Sequence, residues 1–177
     1  MSTPNRLLDE PGIRRALTRI GHEIAERNEA SRAVVIVGIP RGGTHLAKRL
    51  ANILSTIWNH PVPVGSLDVA MHRDDLGEQA APTVYPTEMP FDVTGKTVVL
   101  VDDVLFSGRT TRAALDALND FGRPKCVQLA VLIDRAHREL PIKADFVGKN
   151  VPTARSERVE VSLQEDGGND SVTLEKP

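Results

Sequence analysis

Two kinds of apolar pattern alternate along the chain: compact apolar runs, and apolar residues spaced three or four positions apart. Compact β-branched runs, AVVIVGI (33–39), KTVVLVDDV (96–104) and KCVQLAVLI (125–133), are typical of buried strands. A further strand is expected in VPVGSLDVAM (62–71). Apolar residues three or four positions apart predict amphipathic helices over PGIRRALTRIGHEIAERN (11–28), THLAKRLANILSTIW (44–58) and GRTTRAALDALNDFG (108–122). Because strands and helices alternate, we expect an α/β fold with a mainly parallel, twisted sheet flanked by helices.

Two stretches break this alternation. The polar segment HRDDLGEQAAPTVYPTEMP (72–90) has no sustained apolar period, which favours a functional lid or an extended hairpin. The tail, residues 157–177, contains two short strand patterns joined at EDGGND and therefore predicts a C-terminal β-hairpin. With 177 residues and no internal repeat, the chain fits a single domain spanning residues 1–177.

Composition narrows the functional classes. The net charge is −2 and aromatic residues make up 3% of the chain, so a nucleic-acid surface must be a local patch and not a stacking platform. The one cysteine, Cys126, excludes an intramolecular disulfide, and its strand-like surroundings predict a buried, unreactive side chain. No apolar run approaches the ~20 residues of a membrane span, and no signal-peptide core is present, so we expect a cytoplasmic protein.

The segment VVLVDDVLFSGRTTRAAL (98–115) carries the most specific chemistry. Asp102 and Asp103 end a buried strand, at the kind of sheet edge where α/β proteins bind ligands. Gly108 permits close backbone approach, and the first N–H groups of the following helix favour a phosphate. Two acids would repel a bare anion, so the pattern predicts a sugar phosphate, with ribose hydroxyls on the acids and the 5′-phosphate in the loop. Helix capping by either acid is the alternative interpretation.

This segment resembles the phosphoribosyl-diphosphate signature of the type I phosphoribosyltransferases. The stretches ALTRIGHEI, LAKRLA, RDDL and GRPKCVQLAVLIDRAHRELPIKADFVGKNVPT extend the likeness to the bifunctional pyrimidine operon regulatory protein/uracil phosphoribosyltransferase family. The resemblance implies a type I phosphoribosyltransferase-like fold in which residues 72–90 form a flexible hood. It also implies that uracil and phosphoribosyl diphosphate, bound with Mg²⁺, yield UMP and diphosphate. UMP-dependent binding to the pyrimidine-operon messenger RNA leader, and a homodimer or higher homo-oligomer, follow from the same resemblance.

The resemblance also assigns candidate site residues. The catalytic candidates are Asp102, Asp103 and Arg73, while Asp74 or Asp75 would help to organise Mg²⁺. The 5′-phosphate loop comprises Leu105, Phe106, Ser107, Gly108, Arg109, Thr110 and Thr111. The diphosphate loop, in GIPRGG, comprises Pro40, Arg41 and Gly42, with Pro40 where the family usually has Thr. The base-binding candidates are Ile133, Asp134 and Arg135, because main-chain groups at a strand end can read a small neutral base. No pattern suggests a zinc site.

A second set of residues matches the RNA-contacting positions of the family. The set is Thr18, Arg19, His22, His137, Arg138, Lys143 and Lys149, and Lys143 stands where an Arg is usual. Without the resemblance, these side chains would be ordinary solvated surface, with Arg19 pairing with Glu23 at helical spacing.

Two other functions stay open on the sequence. One is a salvage phosphoribosyltransferase without an RNA-regulatory role. The other is a nucleotide-binding regulator that has lost catalysis, against which the intact acid pair, loop and Arg41 argue. Regulation by attenuation and regulation by translational repression also remain alternatives.

Overall fold

The computed structural model describes residues 4–29, 32–74 and 83–177. The elements follow in the order β1 (Asn5–Leu8), α1 (Glu10–Asn28), β2 (Val34–Gly38), α2 (Gly42–Trp58), β3 (Val64–Ser66), β4 (Thr97–Leu105), α3 (Arg109–Leu118), β5 (Cys126–Asp134), β6 (Phe146–Asn150), β7 (Arg158–Ser162) and β8 (Ser171–Glu175). Short 3₁₀ turns occupy Ala70–His72, Asn119–Phe121 and Gln164–Asp166. Among the described residues, no helix is long and apolar enough to cross a bilayer.

The main sheet has five parallel strands in the order β3-β2-β4-β5-β6. Its middle strands are buried on both faces, as expected for parallel strands covered by helices, which explains their unbroken β-branched composition. One apolar cluster joins α1 and α2 to one face of this sheet, and a second cluster joins α3 to the other face. The prediction of a mainly parallel sheet flanked by helices is therefore confirmed.

Helix α1 matches its predicted range to within one residue. The Asp9 carboxylate caps its first turn by accepting a hydrogen bond from the Gly12 N–H at 2.8 Å, and the chain leaves the helix at Glu29 in a left-handed conformation. The apolar stripe of Leu17, Ile20 and Ile24 is buried against the sheet, as its spacing predicts.

Helix α2 begins in direct contact with the end of β4. A Cβ atom added to Gly43 would lie 2.3 Å from the carbonyl oxygen of Val101, and one added to Gly38 would lie 2.5 Å from the Gly43 carbonyl oxygen. Such distances are too short for any side chain, so glycine at these positions lets two main-chain segments touch. This contact fixes the loop before α2 against the strand that ends in the two acids.

The second sheet is antiparallel, in the order β1-β8-β7. Its β7–β8 pair is the C-terminal hairpin predicted from the tail, whereas the pairing of β1 with β8 was not expected from the sequence. Arg49 of α2 anchors the hairpin turn, donating hydrogen bonds of 2.6–2.9 Å to the carboxylates of Glu165 and Asp170. These bonds raise the pKa of Arg49 further above its ordinary value.

The structure differs from the sequence analysis in three places. The strand expected over residues 62–71 is limited to β3 and gives way to a 3₁₀ turn. Strand β6 was not predicted, because its short segment FVGKN has a mixed polar pattern. Cys126 was expected to be buried, but it is exposed because it is the first residue of β5, and burial begins only further along the strand.

The hood segment is described in part. Residues 75–82, which include Asp75, lie outside the described residues. In the described remainder, Glu88 forms an antiparallel bridge with Ser66 of β3, and the Thr87 hydroxyl accepts a hydrogen bond from the Asp68 N–H at 3.0 Å. These contacts join the later part of the segment to the outer strand of the main sheet.

The contact between α2 and β4 yields a stability prediction. We expect Gly43→Ala to lower the free energy of unfolding by about 1–3 kcal/mol, because the new methyl group forces the helix away from β4. Urea unfolding followed by circular dichroism measures this loss. The exposed Asn52→Ala on the same helix is the control and should change stability by no more than about 0.5 kcal/mol. A Gly43→Ala protein as stable as the parent would contradict the contact.

Candidate active site

The candidate site lies at the carboxyl ends of β2, β4 and β5. In a parallel sheet these ends share one edge, so the loops that follow them meet there. Residues 39–42 follow β2, residues 106–108 join β4 to α3, and residues 135–145 join β5 to β6. The structure thereby brings together the acid pair, the 5′-phosphate loop and the diphosphate loop proposed from the sequence.

The two acids of β4 point into different cavities. Successive side chains of a strand project to opposite faces, so Asp102 and Asp103 diverge. Asp102 lines a cavity of about 90 Å³ together with Arg73, Val104, Leu105, Phe106, Ser107, Gly108, Thr110 and Thr111. Asp103 lines an open cavity of about 490 Å³ together with Arg41, Gly42, Glu160, Val161, Ser162, Asp166, Gly167 and Gly168. One carboxylate thus faces the 5′-phosphate loop, while the other faces the diphosphate loop.

Asp102 resists ionisation in this structure. Burial raises its pKa well above the ordinary value, and the negative charge of Asp103 acts in the same direction. The nearby positive charge of Arg73 acts in the opposite direction. The Oδ1 atom of Asp102 accepts a hydrogen bond from the Asp103 N–H at 2.9 Å. The site therefore holds a carboxyl group that readily keeps its proton next to a second carboxylate.

The 5′-phosphate loop turns at Gly108, whose φ of +91° favours glycine. No side chain caps α3, and the Ser107 hydroxyl accepts a hydrogen bond from the Arg109 N–H at 3.2 Å. Thr111 is buried and Thr110 half-buried beside the cavity. Main-chain N–H groups of a helix start and two hydroxyl side chains thus surround a space suited to an anion.

Arg109 belongs to this loop by sequence, but its guanidinium is bound elsewhere. It donates hydrogen bonds to Glu139 at 3.2 Å and to Asp74 at 2.7 Å, and these carboxylates raise its pKa. Asp74 also accepts a hydrogen bond from Arg112 at 2.9 Å. The first hood residues are therefore tied to the start of α3, and the carboxylate of Asp74 faces two arginines.

The diphosphate loop presents one exposed cation. The peptide bond between Pro40 and Arg41 is cis. A Cβ added to Gly42 would lie 2.6 Å from Asp103 Oδ2, so the loop contacts the second acid closely. Arg41 is ion-paired with Asp166, in the turn of the C-terminal hairpin, at 3.0 Å. The loop thus lies between an acid of β4 and an acid of the hairpin.

The base-binding candidates are only partly placed as expected. Ile133 lies fully buried within β5, where its main chain pairs with neighbouring strands, so it does not face either cavity. Arg135 is also buried, because its guanidinium stacks over the Phe106 ring at 4.2 Å and binds Thr153 and the main-chain oxygens of Ala154 and Glu157. Burial lowers its pKa. The Asp134 carboxylate is half-buried and accepts hydrogen bonds from the Ala136 N–H and from Arg138.

The RNA candidates divide between two sides of β6. On α1, Thr18 and His22 are exposed, and Arg19 binds Glu23 as expected, as well as the carbonyl groups of Val147 and Gly148. Lys149 of β6 is exposed beside them and donates to the Leu7 carbonyl oxygen at 3.2 Å. The remaining candidates, His137, Arg138 and Lys143, follow β5 in residues 135–145.

The loop that carries His137 and Arg138 is bonded directly to the 5′-phosphate loop. The N–H groups of Glu139 and Leu140 both donate to the Ser107 carbonyl oxygen, at 2.9 and 3.2 Å. Arg138 donates to the Phe106 carbonyl oxygen at 2.9 Å and to the Asp134 carboxylate. We call residues 136–142 the strap. Arg138 is therefore half-buried between the 5′-phosphate loop and the end of β5, and not a simple surface cation.

Sequence reasoning missed the contribution of the C-terminal hairpin. Glu160, Ser162 and Asp166 line the large cavity opposite Asp103, and Asp166 also lies 3.0 Å from His45 Nε2. The sequence EDGGND signalled only a turn. Nothing in it indicates that this turn folds back on α2.

Comparisons with known proteins agree with this geometry. The chain matches the phosphoribosyl transferase domain family over residues 5–166. A hypoxanthine phosphoribosyl transferase of Trypanosoma cruzi has a similar fold, with a TM-score of 0.75 at 20% identity, covering 98% of this chain and 91% of that one. These matches, with the acid pair and the two anion loops, define a phosphoribosyltransferase.

Closer relatives specify the family. The chain is 63% identical over 171 residues to the bifunctional protein PyrR of Roseiflexus sp. (strain RS-1), covering 96% of this chain and 93% of that protein. It is 53% identical over 171 residues to the bifunctional protein PyrR of Bacillus pumilus (strain SAFR-032), covering 95% of both. The chain therefore belongs to the bifunctional PyrR family, and the family expected from the sequence is confirmed.

The raised pKa of Asp102 predicts a pH-dependent effect on stability. Above the ordinary aspartate pKa of ~3.9, the unfolded chain ionises while the folded carboxyl group keeps its proton, so Asp102 lowers stability as the pH rises. We expect Asp102→Asn to raise the melting temperature more at pH 7 than at pH 4, as measured by scanning calorimetry. The exposed Asp116→Asn serves as control and should show no such difference. An equal shift at both pH values would show that burial does not disfavour the Asp102 charge.

Proposed function

We propose that this protein transfers the phosphoribosyl group of phosphoribosyl diphosphate to uracil, giving UMP and diphosphate. One observation carries the proposal: Asp102 and Asp103 face two different cavities, one lined by Thr110, Thr111 and the loop before α3, the other lined by Arg41 and Gly42. A ribose bound over the two acids would direct its 5′-phosphate towards Thr110 and Thr111. Its diphosphate would then point towards Arg41 and Gly42.

In the reaction, a nitrogen of uracil forms a bond to the anomeric carbon of ribose as the bond from that carbon to diphosphate breaks. The nitrogen loses its proton, and diphosphate leaves with the bonding electrons. The sugar carries positive charge at the transition state. The carboxylate of Asp103, fixed beside it, stabilises that charge without having to reorganise. The protein thereby supplies ribose binding and electrostatic stabilisation and needs no covalent intermediate.

Mg²⁺ fits the oxygen donors around the second acid. This ion prefers oxygen ligands, keeps several waters, and is held by one or two carboxylates together with substrate phosphates. Asp103 Oδ1 accepts a hydrogen bond from the Val104 N–H at 2.7 Å, while Oδ2 faces Gly42 of the diphosphate loop. Asp103 is therefore the residue that would hold the ion, which neutralises diphosphate charge when bound. In the described parts of the chain, no three His, Cys, Asp or Glu side chains group as ligands for a metal of their own.

In this proposal the hood, residues 72–90, excludes water from the reacting ribose. Arg73 lies at its start, beside the small cavity and close enough to Asp102 to influence its charge. Asp74 joins the same segment to Arg109 and Arg112 at the start of α3. Closure of residues 72–90 over the ribose would bring the Arg73 charge towards the phosphates and shield the reactive cation from water.

The second activity we propose is UMP-responsive binding to the RNA leader of a pyrimidine operon. The strap supports it, because Ser107 and Phe106 of the 5′-phosphate loop are hydrogen-bonded to a segment that also carries His137 and Arg138. A nucleotide phosphate bound in the loop would act on these bonds directly. On the other side of β6, the exposed His22 and Lys149 provide further RNA contacts. Single-stranded bases are the expected target, since their edges are accessible.

The chemistry can be tested at the second acid. We expect Asp103→Asn to lower the turnover of uracil to UMP by roughly 10²-fold or more, because a fixed negative charge beside the reacting ribose is lost. Steady-state assays with purified protein measure this change. Asp116→Asn removes an equal charge from the exposed face of α3 and should retain the parent turnover. Unchanged turnover in Asp103→Asn would remove the acid pair from the mechanism.

RNA binding can be tested on residues away from the nucleotide cavities. We expect His22→Ala and Lys143→Gln each to weaken binding of the pyrimidine leader RNA severalfold in the presence of UMP, and Lys143→Gln to reduce the salt dependence of binding. Filter binding or calorimetry gives the affinities, and both variants should keep uracil phosphoribosyl transfer. Arg123→Gln removes an exposed cation near the opposite end of β5 and is the control. If the parent binds no leader RNA, the enzyme acts in salvage alone.

A further inference from the structure

The turn of the C-terminal hairpin holds a carboxylate against the diphosphate loop. Asp166 Oδ1 accepts a hydrogen bond from Arg41 Nε at 3.0 Å and lies 3.0 Å from His45 Nε2. Arg41 and Asp166 both line the cavity of about 490 Å³ that also contains Asp103. The cation of the loop therefore already has an anionic partner at the place where an anionic ligand has to bind.

The Arg41–Asp166 pair is ionised near neutral pH. Burial acts to raise the pKa of Asp166, but the hydrogen bonds from Arg41 and His45 outweigh it and lower that pKa below its ordinary value. Asp166 in turn raises the pKa of Arg41, and Tyr85 contributes a smaller effect in the same direction. The Arg41 side chain is 58% exposed and that of Asp166 is 27% exposed, so water and ligands can reach the pair.

We propose that Asp166 is a placeholder carboxylate: it binds Arg41 before a ligand arrives and is displaced when a diphosphate group binds. The inference rests on the proposed role of Arg41 in binding the diphosphate of phosphoribosyl diphosphate. The Nε–H of Arg41 cannot donate fully to Asp166 and to diphosphate at the same time. The negative charges of these two groups also repel each other. The apparent affinity for diphosphate would therefore be lower than that of a protein in which Arg41 lacks this partner.

The rest of the turn does not depend on the placeholder. Arg49 binds the neighbouring Glu165 and also Asp170, and Asp170 Oδ1 accepts a hydrogen bond from the Gln164 N–H at 2.9 Å. These contacts hold the hairpin turn on α2 while Asp166 exchanges partners. Displacement then changes the position of one side chain and not the fold of the hairpin.

The test is calorimetric titration with inorganic diphosphate. We expect Asp166→Asn to bind diphosphate about two- to fivefold more tightly, as the loss of one solvent-exposed competing ion pair predicts. The KM for phosphoribosyl diphosphate should fall in the same proportion, while UMP affinity stays at the parent value because its phosphate binds in the other cavity. Asp166→Ser repeats the measurement with a smaller side chain and covers a folding failure of the first variant.

Glu165→Gln is the matched control. It removes the same charge from the same turn, but its partner is Arg49 and not Arg41. We expect diphosphate affinity close to the parent value in this variant. Equal tightening in Asp166→Asn and Glu165→Gln would reveal a general charge effect and overturn the placeholder role.

Arg41→Gln separates this inference from the proposed function. It should weaken diphosphate binding, and Asp166→Asn should have no further effect in that background. If Arg41→Gln binds diphosphate like the parent, the assignment of the diphosphate loop is wrong. If Arg41→Gln weakens binding while Asp166→Asn leaves it unchanged or weakens it, the loop assignment stands and the placeholder is overturned.

Discussion

The contact between the first turn of α2 and the end of β4 is the constraint on which the candidate site depends. Gly43 faces the Val101 carbonyl oxygen and Gly42 faces Asp103, at distances that leave no room for a side chain. This approach brings Arg41 to the cavity that Asp103 lines. The Asp102 side chain lies on the other side of β4, beside the 5′-phosphate loop, and its burial there disfavours its charge. The arrangement of cations and acids thus follows from main-chain packing.

The same packing divides the site by function. The pleat of β4 sends one acid towards the 5′-phosphate loop and the other towards the diphosphate loop, so a ligand that spans both cavities must cross the strand end. Each side is then completed by a different part of the chain. The strap borders the phosphate side, while the C-terminal hairpin closes the diphosphate side. The two sides of the site are therefore bordered by separate peripheral segments.

Local patterns in the sequence predicted strands β2, β4 and β5 of the main sheet and part of β3, but they missed β6. Asp102 and Asp103 end an apolar run and Gly108 follows a few residues later, so this short segment alone predicts a strand end, a tight loop and a helix start. Contacts between distant segments were beyond such patterns. The Arg41–Asp166 pair joins residues 125 positions apart, and Arg135 became a buried stacking residue because Phe106 and Thr153 surround it. Arg138 likewise looks like a surface cation until its partners at Phe106 and Asp134 are known.

The bonds from Arg19 to the carbonyl groups of Val147 and Gly148 have a consequence for solubility. Strand β6 is an outer strand of the main sheet in the described part of the chain, and an outer strand offers main-chain groups to which a strand of another molecule can pair. Arg19 bonds to the carbonyl groups of Val147 and Gly148, so its side chain lies against this outer strand. A charged side chain placed against an outer strand is one of the features by which proteins disfavour edge-to-edge pairing.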